Sequence, residues 1–207
     1  MTSNSNSILR TISKPKTVLA IVLSISLLAT GCSAQWLTIA LADLPVLVQM
    51  ALNIGTIVST LESGKQISPA DAAAIQNISA QASKDLNLLA TLYNEYKAEP
   101  TATTLEKIQS VIADINQSLP ALLQAAHIGD PALSARIAAG VNLILTTVAS
   151  FASLIPQVSM LSASAKAARQ QIAIPKASDL KKQWNLQVCS PTSDSAFDFS
   201  AAGCLVR

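Results

Sequence analysis

Leu105, Ile108, Ile112, Ile115, Leu119, Leu122 and Ala126 recur at spacings of three and four, and no other stretch constrains the fold as tightly. On a helix of 3.6 residues per turn such positions share one face, and an aliphatic face of that length must be covered by another element. Three further stripes have the same period: Leu47, Met50, Ile54, Ile57, Leu61; Ile75, Ile78, Ala82, Leu86, Leu89, Tyr93, Tyr96; and Leu133, Ile137, Ile144, Val148, Phe151, Ile155. Val158, Leu161, Ala165, Ala168 and Ile172 suggest a fifth, Ala-rich piece reaching to about Ile174. The fold class is therefore expected to be all-α. Connections of a few residues between long helices favour antiparallel neighbours, hence an up-down bundle of four to five helices.

The punctuation agrees with the stripes. Ser68-Pro69-Ala70-Asp71 places a capping hydroxyl, a proline at the first helical position and an acid in the first turn. Gly129-Asp130-Pro131 gives a stop, a cap and a proline in the same order, with Gly129 as the expected left-handed stop, and the two Pro-Ala starts hint at duplicated hairpins. Gly64 is the expected stop of the first stripe, Pro100 lies at the end of the second, and Pro156 ends or bends the fourth. Pro120 lies inside the third without shifting its phase, so a kinked, continuous helix is expected there, with a restart capped by Ser118 as the alternative. Residues 34–43 read as a short helix or tether, and Asp43 as the cap of a helix whose first turn holds Pro45.

The N-terminal stretch has a different character. Arg10, Lys14 and Lys16 stand in residues 1–16 without an acid, and an uncharged apolar run of about fourteen residues follows from Thr17 to Thr30, shorter than the roughly 20 a membrane span needs. Ala29-Thr30-Gly31-Cys32 closes it. Residues 1–33 resemble a bacterial lipoprotein precursor, whose lipobox ends in a small residue and an obligatory cysteine. Ala29 departs from that family's commoner Leu, which here stands one place earlier as Leu28. The resemblance implies a diacylglyceryl group on the Cys32 sulfur, cleavage after Gly31, and a fatty acyl chain such as palmitate on the new amine. Two or three chains hold a protein to a bilayer where one does so only marginally. Ser33, in place of Asp, implies passage to the outer membrane with the protein facing the periplasm. An ordinary cleaved signal peptide, or an uncleaved anchor, is the alternative. The expected organisation is thus a signal peptide (1–31), a lipidated N-terminus and tether (32–43), a helical bundle (44–174) and a C-terminal tail (175–207).

Without the leader, 176 residues remain, enough for one domain with a core. The leader takes three of the fourteen cations and none of the twelve acids, leaving a net charge of −1. That balance, with only 3% aromatic residues, argues against nucleic acid as a partner.

With Cys32 lipidated, Cys189 and Cys204 remain as an even pair in an oxidising compartment, and a disulfide between them would close a short turn-rich loop. Two free thiols are the alternative. Trp184, in Ser178-Asp-Leu-Lys-Lys-Gln-Trp, belongs to a short capped helix that docks on the bundle. The single histidine, His127, lies near a helix end, where its charged form suits the dipole. No nucleophile motif, phosphate-cradling glycine loop or metal-ligand spacing is present, so no catalytic residues, cofactor or metal is expected. Asn77-Ile-Ser79 and Asn116-Gln-Ser118 fit the glycosylation pattern, but on bacterial-type helices they are read as chance. Lys166, Arg169, Lys176, Lys181 and Lys182, opposed by Asp179, suit anionic lipid, an acidic partner or a solvated helix face. The uncharged run from Ile137 to Ala165 contains a portion, Ile137 to Ile155, long enough for a membrane span, although its one-sided periodicity suits a buried bundle helix better.

The expected function is a non-catalytic structural or interaction module, held to the membrane by its lipid and presenting a surface to another envelope protein. The alternatives are a carrier of an apolar ligand or lipid between helices, and a bilayer-inserting protein using residues 44–61 and 137–155.

Overall fold

The computed structural model describes residues 15–155, 175–189 and 204, with side chains from Trp36 onward. The chain divides into two compact units, Met1–Gln35 and Trp36–Arg207. Every regular element among the described residues is helical: α1 (Pro15–Ser63), α2 (Pro69–Ala98), α3 (Ala102–Ala125), α4 (Pro131–Leu154) and α5 (Ala177–Trp184), the last running into a π-helical turn (Asn185–Cys189). The fifth apolar stripe, Val158 to Ile172, lies outside the described residues.

In the second unit the helices alternate in direction. Trp36 stacks edge-on against Tyr93 and Ala51 is bonded by Ser79, so rising numbers on α1 meet falling numbers on α2. α2 packs on α3 and α3 on α4, completing an up-down four-helix bundle. At one end the Asp71 carboxylate accepts from the Gly129 N–H at 3.2 Å, tying the start of α2 to the turn before α4. The two Pro-initiated starts therefore sit side by side. Each has its expected cap: Ser68 Oγ accepts from Asp71 N–H, and Asp130 Oδ1 from Leu133 N–H. Thr101 caps α3 in the same way.

The stripes form the core. Leu105, Ile108, Ile112, Ile115 and Leu119 are buried on α3, and all six residues of the fourth stripe, five on α4 and Ile155 just past its end, are buried. Leu122, Ala126 and Tyr96 are only partly covered. α3 continues through Pro120, as the unbroken phase predicts.

Three expectations are corrected. Asp43 does not start a helix at Pro45, because both residues lie in the interior of α1. Trp36, Leu37 and Ala40 extend the apolar face in phase with Leu44 and Leu47, so residues 36–43 belong to the core and not to a tether. Pro45 is tolerated because its ring faces the exposed side, at the loss of one helical N–H donor. α5 begins at Ala177 after Lys176, with no side-chain cap of its own, and not behind Ser178.

Candidate functional site

The bundle holds a few polar side chains within its aliphatic interior; Asn53, Asp85 and Thr147 bond within their own helices, and three others tie one element to another. Ser79 on α2 donates its hydroxyl to the Ala51 carbonyl of α1 at 2.7 Å. Opposite stands Gly55, where a Cβ would lie 2.9 Å from Ser79 Oγ, so the two helices approach as closely as a glycine permits. Arg136 on α4, 6% exposed, donates through Nη1 to the Val188 carbonyl of the π-helical turn at 3.1 Å. Asp43 on α1, 2% exposed, accepts from the Ala177 N–H at the start of α5.

Asp43 therefore serves as the cap that α5 lacks, supplied by another helix. Burial raises its carboxyl from the usual 3.8 to about 6, and the Ala177 N–H opposes that rise. Its Oδ2 has no hydrogen-bond partner. Trp184 anchors the C-terminal end of α5 against Gly140 of α4, where an added Cβ would meet the indole at 2.9 Å.

At the end of the bundle opposite Asp71 lies an aromatic group. Trp36 and Tyr93 meet edge to face with centroids 5.4 Å apart, Tyr96 lies 6.2 Å from Trp36, and Phe151 lies 6.4 Å from Tyr93. The Trp36 indole N–H and the Tyr93 hydroxyl are buried without a partner. Burial pushes the Tyr93 phenol well above its ordinary range, which keeps it neutral.

The sequence-predicted residues are dispersed. Cys32 lies in the helical part of the first unit. Cys189 and Cys204 are joined in a disulfide with Cα atoms 5.8 Å apart, and Cys189 is buried at the end of the π-helical turn. His127 is exposed just beyond α3 with φ of 41°, taking the left-handed position that Gly129 was expected to supply. Asn77 and Asn116 are exposed on helices. Lys176 and Lys182 are exposed and Lys181 half-buried on or beside α5, while Lys166 and Arg169 lie outside the described residues. Among the described residues no three His, Cys, Asp or Glu side chains gather as a metal site.

Sequence reading missed Asp43 and Arg136 as cross-element ties. A signal was present, since Asp43 is the sole charge between Lys16 and Glu62, and Arg136 the sole charge between Asp130 and Lys166. A lone charge in phase with an apolar stripe must be buried and bonded. No protein-family model, curated protein or solved structure matches this chain.

Proposed function

We propose that this chain is a membrane-anchored envelope lipoprotein, acylated at Cys32, whose bundle is a non-catalytic module for docking other envelope proteins. The observation that carries this reading is the division of the chain. The second compact unit begins at Trp36, four residues after Cys32, so cleavage after Gly31 takes nothing from it. Docking is supported by the outer faces of α1 and α4. Asp43 and Arg136, the only charges in 36–61 and 131–155, are both buried. Thr56, Ser59 and Thr60 on α1, and Thr146 and Ser150 on α4, donate their hydroxyls to carbonyls of their own helix. A partner covering these faces strands few donors.

A second reading, insertion into a bilayer, is favoured by Trp36–Ser63 and Pro131–Leu154, which at 28 and 24 residues are long and apolar enough to cross one. About half of each most apolar window is buried within the bundle, and that favours the folded module.

The test is metabolic labelling with a fatty acid in cells carrying the wild-type chain or Cys32→Ser, followed by crosslinking and fractionation. Label that requires Cys32, outer-membrane fractionation and a reproducible crosslinked partner are expected. Label independent of Cys32 overturns the anchor. Dye release from liposomes by the purified protein replaces docking with insertion.

A further inference from the structure

α5 has eight residues, fewer than the roughly 12–15 at which a helix holds together alone in water. It is therefore helical because it is docked. Asp43 holds its first N–H, Gly140 receives Trp184, and Arg136 bonds the Val188 carbonyl just beyond its end. The first anchor differs from the others in being a buried carboxyl, one of whose oxygens meets no donor. When that carboxyl is ionised, part of its charge is stranded in an apolar seam; when it is protonated, the stranded charge is gone.

We propose that α5 is a proton-controlled flap on α1 and α4: protonation of Asp43 holds it down, and ionisation releases it. The direction follows from linkage. Lifting α5 lets water reach Oδ2 and returns the carboxyl toward its ordinary range, so the docked form binds the proton more tightly and acid favours docking. The described charged groups on the surrounding elements include Lys176, Asp179, Lys181 and Lys182 on or beside α5, Arg136 on α4, and Lys84 and Asp85 on α2. Asp85 accepts from Gln81 and Arg136 donates to Val188. The Asp43 carboxyl is set by burial and by the Ala177 N–H, not by these charges. Release bares Gly140 and removes the Val188 carbonyl from Arg136, opening on α4 a surface that the docked form covers. This inference does not depend on the anchor at Cys32.

The experiment is amide hydrogen exchange on the full chain near pH 5 and pH 7.5, corrected for the intrinsic pH dependence of exchange. From the rise of the carboxyl from 3.8 to about 6, the opening constant of residues 177–184 should be about tenfold larger at the higher pH. The amides of α2 and α3 should not change. In Asp43→Asn, which keeps an acceptor for Ala177 but cannot ionise, the α5 response should be flat. An α5 that is pH-independent in the wild type, or that responds equally in D43N, overturns the proposal. Should D43N fail to fold, carbon-13 NMR of the Asp43 carboxyl decides. A titration midpoint below pH 5 in the native chain overturns the proposal, and a midpoint near 6 that falls when Trp184→Ala undocks α5 supports it.

Discussion

Lys65 shows how one residue can hold strain in an otherwise regular connection. α1 ends in a Schellman motif, with the Gln66 N–H bonded to the Leu61 carbonyl and the Lys65 N–H to that of Glu62. The left-handed position of the motif falls on Lys65, at φ 55°, one residue after Gly64. A side chain there costs roughly 1–2 kcal/mol that glycine avoids, less the greater freedom glycine brings to the unfolded chain. Lys65→Gly is expected to stabilise the protein by about 0.5–1 kcal/mol, read as a higher urea midpoint at unchanged slope. The helix does stop at Gly64, directly after Ser63, but the left-handed conformation that glycine would favour falls on the next residue, Lys65. Asp43 is misleading too. An acid two residues before a proline has the form of a helix start, and only the packing of Trp36 and Ala40 reveals that the helix is already under way.

At the scale of elements the reading from sequence was far more complete. Four stripes, two Pro-initiated starts and an uninterrupted α3 were all legible, because each depends on residues within two or three turns of one another. The docking of α5 was legible only as a tryptophan in need of a surface, since its receiving position is a glycine more than forty residues earlier. Gly140 leaves no room for a Cβ beneath the Trp184 indole, and its Cβ would also lie 3.4 Å from a Val188 methyl. Gly140→Ala is therefore expected to force α5 outward. Overpacking of this kind costs about 1–3 kcal/mol, moderated by the better helix propensity of alanine in α4. The loss should be local. Trp184 fluorescence in a Trp36→Phe background should become more accessible to acrylamide, while far-ultraviolet circular dichroism keeps nearly all of its helical signal. Equal quenching with and without the substitution would show that the indole does not rest on residue 140.

The whole chain presents two units joined at Gln35–Trp36, and the lipobox resemblance places the processing point just inside the first of them. The two boundaries come from different physics. A lipobox is an address whose residues are recognised and cleaved, whereas the second unit starts where the Trp36 ring meets Tyr93 and Tyr96. Their near coincidence leaves no more than the three residues Ser33, Ala34 and Gln35 between the cysteine proposed to be acylated and the core. In the proposed lipoprotein the core would therefore follow its lipid after a very short tether. That arrangement also makes a testable demand on stability. If the core is complete without the leader, a chain beginning at Cys32, with that residue changed to Ser, should melt within a degree or two of the full-length chain carrying the same Cys32→Ser change. It should also keep the Cys189–Cys204 disulfide, which mass spectrometry without reductant would detect. A loss of several kcal/mol on removing residues 1–31 would mean that the apolar run from Thr17 to Thr30 serves as a structural part of the folded protein, and the lipoprotein reading would fall with it.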